Sequence, residues 1–198
     1  MHVLRVLGVV FLLSMGMSWT LAQGSVPLFK GRTQADSSVQ RDFRLQDTNG
    51  RWRTLADFRG KVVLAFFGYT QCPDVCPTEL ARLAQLIAAL GSDAARVQVV
   101  FVTLDPERDT AAVLRAYTSQ FDPAIVPLRT DQQGTDAVAR TFSVYYEKVP
   151  GRTPSTYTVD HSTLVYGFDT QGRLRVRLTP NQSPDDVLAD VRTLLSIR

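Results

Sequence analysis

Cys72 and Cys76 are the two cysteines of this 198-residue chain, and they sit together in Gly68-Tyr-Thr-Gln-Cys72-Pro-Asp-Val-Cys76-Pro-Thr-Glu79. An apolar run, Val62 to Phe67, leads into the segment and a helical pattern leaves it, so the thiols lie on a strand-to-helix turn. If Cys76 is the N-cap residue or sits in the first helical turn, the helical rise places the two Cα atoms about 6 Å apart. A disulfide accepts about 4.4–6.8 Å. The same separation lets two thiolates converge on one ion, with metal–sulfur bonds of about 2.3 Å in the zinc case. The open N–H groups of a helix N-terminus favour a thiolate and lower its pKa, and Asp74, between the two sulfurs, opposes that effect. From spacing alone a structural disulfide, two buried thiols, a redox pair and a metal site all stay open.

A third ligand narrows the choice. His161 lies in Thr156-Tyr-Thr-Val-Asp-His-Ser-Thr163, read as the entrance to a strand. Met1, His2, Met15 and Met17 all fall within the first 22 residues, so beyond them the chain holds no Met and one His, His161. A lone histidine is more often a hydrogen-bonded surface residue than a ligand, but this one is the single imidazole in a domain with a single thiol pair. Two thiolates and one imidazole select Cu(I), Cu(II) or Zn(II) over hard cations. Three ligands also leave a position open for catalysis or metal transfer. Asp160 is either an acceptor that fixes the ring tautomer or a solvated turn residue.

The rest of the chain must position these groups. With 44% hydrophobic and 21% charged residues, the composition is that of one globular domain. The formal charge of +3 falls to +2, 21 basic against 19 acidic residues, if residues 1–22 are lost with Arg5. So small a balance, without a basic run, argues against nucleic acid as the partner. Residues 1–22 read as a secretory signal peptide cut after Ala22 or as an uncleaved membrane anchor. Either implies export, with a bacterial periplasm as the simplest compartment, the domain being soluble there or tethered to the inner membrane. Residues 23–41 are polar and patternless, an expected tether, and residues 42–198 form the domain.

Within it, Phe43-Arg-Leu45 and Trp52-Arg-Thr-Leu55 flank the turn signal Asp47-Thr-Asn-Gly50 and predict a hairpin. Val62–Phe67 and Val97–Leu104 are continuous apolar runs, as buried central strands are. After Cys76, Pro77 suits a first helical position, and Leu80, Leu83, Ile87 and Leu90 form a stripe ending at Gly91. Asp109-Thr110 opens a helix carrying Val113, Leu114 and Tyr117. A strand over Ile125–Leu128 and a helix over Asp136–Phe142 follow, and then a long polar loop from Ser143 to Thr156. Thr163–Phe168 and Arg173–Leu178 pair across Asp169-Thr-Gln-Gly172, and Ser183-Pro184 caps a final helix with Val187, Val191, Leu194 and Leu195 on its apolar face. This order indicates an α/β sandwich, a mixed sheet flanked by helices with an N-terminal β-hairpin.

Three separated motifs in one order, Phe67-Gly-Tyr-Thr-Gln-Cys-Pro-Asp-Val-Cys-Pro77, Asp105-Pro-Glu-Arg-Asp-Thr110 and Tyr157-Thr-Val-Asp-His-Ser162, make residues 40–197 resemble the Sco/SenC family. The resemblance implies a thioredoxin-like (peroxiredoxin-like) fold and a part in assembling the copper site of cytochrome c oxidase. Carried over by residue, it implies one copper ion, Cu(I) or Cu(II), held by Cys72, Cys76 and His161, and a thiol pair able to cycle with a disulfide. The implied partner is the copper-bearing oxidase subunit or another copper carrier, and a monomer is expected. Asp105–Thr110 is a family marker for which a turn and helix cap is the expected duty, and Val126-Pro-Leu-Arg-Thr130 departs from the family pattern. Two functions remain. One is a copper metallochaperone, not an enzyme; the other is a thiol–disulfide oxidoreductase in which Cys72 and Cys76 are the catalytic pair that keeps a partner's copper-ligand cysteines reduced. The third residue between the cysteines and the presence of His161 favour the first.

Overall fold

The computed structural model describes residues 28–33, 41–153 and 156–197. The expected leader, residues 1–22, lies outside them. Among the described residues the strands and helices run β1 (Arg32–Thr33), β2 (Leu45–Asp47), β3 (Trp52–Arg53), β4 (Val62–Gly68), α1 (Val75–Leu90), β5 (Val97–Thr103), α2 (Ala111–Thr118), β6 (Val126–Arg129), α3 (Gln132–Phe142), β7 (Tyr146–Pro150), β8 (Tyr157–His161), β9 (Val165–Phe168), β10 (Leu174–Leu178) and α4 (Pro184–Ser196).

Eight of these strands form one mixed sheet in the order β1-β10-β9-β4-β5-β6-β2-β3, with β4, β5 and β6 parallel and the others antiparallel. Every residue of β4 is buried because both faces of the sheet are covered. Side chains alternate across a strand, so Val62, Leu64 and Phe66 join the layer built with α1 and α4, where Leu80, Leu83, Val191 and Leu194 meet them. Val63, Ala65 and Phe67 face the opposite layer, which contains Val138, Ala139 and Phe142 of α3. The β4-α1-β5 crossover thus brings the cysteine turn to the C-terminal end of the central strands, the edge where ligand sites of parallel sheets lie.

Local signals account for most boundaries. Ser183 accepts a hydrogen bond from Asp186 N at 3.1 Å, with Pro184 at the first helical position and Asp185 and Asp186 at the positive end of α4. Thr110 caps α2 in the same way through Val113 N at 3.3 Å, and α1 stops at Gly91, whose φ of 58° is unfavourable for a side chain.

Several expectations need correcting. Asp74 is the N-cap of α1, so Pro77 occupies the third helical position and Cys76 the second. On that helix Leu86 is buried and Ile87 only half-buried. In α2, Leu114 turns inward while Val113 stays exposed. The Asp131 side chain accepts from Gly134 N at 2.8 Å and starts α3 four residues before Asp136. The stretch 143–156, expected as a loop, contains β7, paired antiparallel with β8. The alternation of Tyr146, Glu147, Lys148 and Val149 runs between half-buried and exposed, with no core face to write a hydrophobic period. His161 therefore ends β8 rather than opening β9. The Val126–Thr130 departure leaves β6 regular, with Pro127 opposite Phe101 and Leu128 opposite Val102.

Part of the stretch expected as a tether is docked. Phe29 is buried, and Arg32–Thr33 pairs with Val176 and Arg177 on the outer edge of the sheet. The buried Asp190 carboxylate on α4 accepts from Lys30 N at 2.6 Å, Gly31 N at 2.8 Å and Gln182 Nε2 at 3.0 Å. Asp190→Ala leaves those donors unpaired, a loss of about 1–3 kcal/mol. We expect amide exchange at residues 30–33 to rise selectively in that variant, measured by hydrogen–deuterium exchange, while β4 amides keep their protection; unchanged exchange at 30–33 would show that Asp190 does not hold the segment.

Candidate metal centre

The centre is built where β4 ends. Gly68 closes the strand, and a Cβ placed there would lie 2.7 Å from Cys76 Sγ and 3.0 Å from Phe101 Cε2. The position must be glycine for the fully buried Cys76 sulfur to occupy its site. Leu104 N donates to Gly68 O at 2.8 Å, carrying the β4–β5 ladder past the strand end. Cys72 N donates to Tyr69 O at 3.3 Å and closes the turn.

A buried carboxylate holds that turn in place. Asp109 accepts from Thr70 N at 3.1 Å, Thr70 Oγ1 at 2.5 Å and Thr103 Oγ1 at 2.6 Å. It thereby ties the cysteine turn to the end of β5. Burial raises the Asp109 pKa, and the bonds from Thr103 and Thr70 oppose the rise. Arg129 supports the Asp109 segment from below, donating to Asp109 O at 3.2 Å and Pro106 O at 3.0 Å.

The three predicted ligands come together: Cys72 Sγ, Cys76 Sγ and a His161 ring nitrogen all lie within 4.8 Å of one another. Both cysteines are free thiols, Cys72 half-buried and Cys76 buried. Cys76 Sγ lies 3.4 Å from His161 Nε2. The other ring nitrogen, Nδ1, is 2.8 Å from Ser162 O. A carbonyl oxygen can only accept, so Nδ1 carries the proton and the Nε2 lone pair faces the sulfurs. The ring is held edge-on against Tyr69 and Phe66, at centroid distances of 5.9 and 6.3 Å. Asp160 is exposed, and the acceptor for Nδ1–H is the Ser162 carbonyl. An open groove of about 540 Å³, lined by Tyr69, Cys72, Val75, Tyr145, His161 and Thr163 among others, opens Cys72 and His161 to solvent while Cys76 stays buried.

The two sulfurs are electrostatically unequal. The Cys76 thiol, donating to Cys72, is the main cause that holds Cys72 down at about 3. Partial burial works against this, and the backbone N–H groups of Asp74 and Cys76 work for it. The same bond, with burial, pushes Cys76 up. Cys72 is thus the thiolate and Cys76 the thiol. The Asp74 side chain makes no capping bond to α1. Instead Cys76 N, at the open end of the helix, points at Cys72 Sγ over 3.4 Å. The helix terminus stabilises a sulfur anion where an N-cap oxygen ordinarily sits.

This donor set fits a soft or borderline metal ion. Two sulfurs and one imidazole nitrogen converge, the ring tautomer is correct for ligation, and a solvent-facing side is open. No other group of this kind occurs among the described residues. Sequence reasoning singled out the three residues that the structure brings together but missed the groups that hold them. Gly68 carried a readable signal, a glycine closing an apolar strand just before the cysteines. In Asp105–Thr110, expected as turn and cap, Thr110 is the cap, whereas Asp109 turns inward to the cysteine turn. The Ser162 carbonyl had no signal in any side chain.

The chain matches known proteins over nearly all of the described region. Residues 31–196 match the SCO1/SenC family. Over 155 residues the chain is 38% identical to Protein SCO2 homolog, mitochondrial, of Bos taurus, covering 77% of this chain and 58% of the bovine protein. The chain therefore spans less than two thirds of that relative. The Mus musculus SCO2 homolog is 32% identical over 185 residues, 90% of this chain and 72% of the mouse protein. Among solved structures, Bradyrhizobium japonicum ScoI with copper bound superposes with a TM-score of 0.72 at 39% identity, covering 79% of this chain and 99% of that one. The apo Sco1 protein of Thermus thermophilus gives a TM-score of 0.74 at 36% identity, over 87% of this chain and 100% of that one. The mixed sheet with flanking helices is the thioredoxin-like fold of these structures.

Two measurements test the centre. In metal-free, reduced protein, iodoacetamide should alkylate Cys72 alone, at a rate nearly constant between about pH 5 and 8 and lost only as pH falls towards about 3. An unperturbed thiol, with a pKa of about 8.5, would slow by nearly three orders of magnitude over that range. Cys76→Ala removes the donated bond and should restore much of the ordinary pH dependence. Separately, Gly68→Ala should displace the Cys76 sulfur and weaken binding of any thiophilic ion by about tenfold or more, read by competition with a chromophoric chelator; wild-type affinity would refute the close-approach requirement.

Proposed function

The chain belongs to the SCO1/SenC family, and on that premise we propose that it is a copper metallochaperone. Cys72 and Cys76 supply two sulfurs and His161 supplies Nε2 to one copper ion, Cu(I) or Cu(II). The ion is cargo, passed by ligand exchange to the copper-bearing subunit of cytochrome c oxidase or to another copper carrier. The observation that carries this reading is the His161 ring, locked by Ser162 O at 2.8 Å so that its free nitrogen faces the Cys76 sulfur at 3.4 Å. An imidazole aimed in this way supplies the third donor that copper takes beside two sulfurs. A family member that this chain resembles over 99% of its length, Bradyrhizobium ScoI, is described with copper bound. Together with the reading of residues 1–22 as a leader or anchor, the proposal places a monomeric domain outside the cytoplasm, in a periplasm, free or tethered to the inner membrane.

One observation favours a second reading, thiol–disulfide exchange. Cys72 is an accessible thiolate and Cys76 a buried thiol, the asymmetry of an attacking and a resolving cysteine. Cys72 would attack a partner disulfide and release one partner thiolate, which takes a proton from water, and Cys76 would then attack Cys72 in the mixed disulfide, its proton passing to the second partner sulfur as that leaves. The partner ends with two thiols and this chain with a Cys72–Cys76 disulfide, two electrons having passed to the partner.

Copper binding separates the readings. The reduced chain should bind one copper per molecule, with sulfur-to-copper charge-transfer absorption in the Cu(II) form. His161→Ala should weaken Cu(II) binding by about tenfold or more and change that absorption while leaving the thiol–disulfide midpoint potential unaltered. Copper affinity unchanged by His161→Ala would sink the three-ligand site. A wild type that binds no copper yet reduces a partner disulfide would make the second reading the function.

A further inference from the structure

The cysteines and the histidine are not supported alike. Cys76 rides on α1 at the end of the main sheet, whereas among the described residues β7 and β8 pair only with each other. Among the described residues no ladder bond of the eight-stranded sheet fixes β8, and the position of His161 over the sulfurs depends on side chains: Val159, buried in the core beside Phe66 and Tyr69, and a set of polar ties. Tyr146 provides one for the far strand: its hydroxyl donates to Asp136 and accepts from Gln132 Nε2 at 2.7 Å, both on α3. Lys148 and Glu107 provide another at 2.9 Å, but their side chains are 35% and 62% exposed. An exposed pair of that kind holds little.

The tie on β8 itself centres on Arg108. Its guanidinium stacks over the Tyr157 ring at 3.5 Å, and its Nη1 donates to Tyr157 O at 2.9 Å. The same Nη1 donates to Gln71 Oε1 at 3.1 Å, the residue before Cys72, and the guanidinium carbon lies 5.7 Å from the Tyr69 ring centroid. Its Nε donates to Asp105, which is fully buried and also accepts from Tyr157 Oη at 2.8 Å. One planar cation thus touches the strand that ends in His161, the turn that carries Cys72 and the loop after β5. Tyr157 and His161 are four residues apart on one strand and share a face, so fixing Tyr157 fixes the rise and rotation with which His161 arrives.

We propose that Arg108 is the positioning residue of the centre: it latches the β7–β8 ribbon to the cysteine turn and so sets the separation between imidazole and thiols. The inference rests on the reading of Cys72, Cys76 and His161 as one copper site. A lysine cannot replace the arginine, because it keeps the charge but loses the fork that reaches Asp105 and Tyr157 O together and the flat face that stacks on the ring.

The test compares wild type, His161→Ala, Arg108→Lys and Tyr157→Phe, each shown to be folded by its thermal transition. In Arg108→Lys we expect Cu(II) affinity to fall by about tenfold or more, with charge-transfer absorption shifted towards that of His161→Ala and an unchanged thiol–disulfide midpoint potential. In the metal-free protein, amides of residues 157–161 should exchange faster while those of β4 do not. Tyr157→Phe removes only the hydroxyl bond to Asp105 and should move the same readouts by less. If Arg108→Lys fails to fold, Tyr157→Phe decides alone. Wild-type copper spectra and wild-type ribbon exchange in the folded variants would overturn the latch while leaving the copper site standing, provided His161→Ala shows its loss. If wild type itself binds no copper, the copper reading and the latch fall together.

Discussion

A fully buried sulfur on Cys76 has to be accommodated and satisfied, and most of the site can be understood from how that is done. Room comes from Gly68, whose missing Cβ leaves the space the sulfur fills. Satisfaction comes from the Cys72 sulfur, which accepts the one Cys76 S–H. Burial disfavours a second anion beside the first, so one proton stays in the pair, on Cys76, and the negative charge resides on Cys72 at the open end of α1. The centre is therefore preorganised as one thiolate, one thiol and one imidazole whose Nδ1–H is committed to Ser162 O, with ligation of both sulfurs requiring one proton to leave.

Support for this arrangement is graded through the molecule. Beneath the cysteines lies β4, buried along its whole length between two helical layers, and Asp109 staples the turn to β5 through Thr70 and Thr103. The histidine stands on a separate two-stranded ribbon whose one buried side chain, Val159, joins the core beside Phe66 and Tyr69. In the proposed reading, rigid sulfurs and an imidazole on a separate ribbon suit the release of copper, since a ligand that can withdraw lowers the coordination number without unfolding the rest. In the proposed reading the two sulfurs serve either metal or disulfide and never both at once, so the redox state of Cys72 and Cys76 sets whether copper is taken up.

Much of the fold was legible because its signals are local. Continuous apolar runs marked β4 and β5, Gly50 and Gly172 marked the two hairpin turns, and Ser183-Pro184 marked the start of α4. Where the signals were absent or shared, the reading slipped. The ribbon strand β7 has no buried face and hence no hydrophobic period. Asp74 and Pro77 both suit a helix start, and choosing between them needed the Cys72 sulfur, which takes the place of the capping oxygen. Asp105, Arg108 and Asp109 lie within five residues and look alike in a turn. Their separate duties follow from which segment each faces, and that depends on how β5, β8 and the cysteine turn pack.

What the sequence by itself established was the inventory: two cysteines and, beyond the first 22 residues, one histidine, which narrows the chemistry towards soft-metal binding or thiol exchange. Donor type belongs to each residue whatever its surroundings, so it can be read without a fold. Only the tertiary structure decided that His161, 85 residues from Cys76, comes within 3.4 Å of it. It also decided that a backbone carbonyl and not Asp160 sets the ring tautomer, and that Cys72 rather than Cys76 carries the charge. Those outcomes are distances and dielectric surroundings, produced by packing between segments far apart in the chain, and no local pattern encodes them.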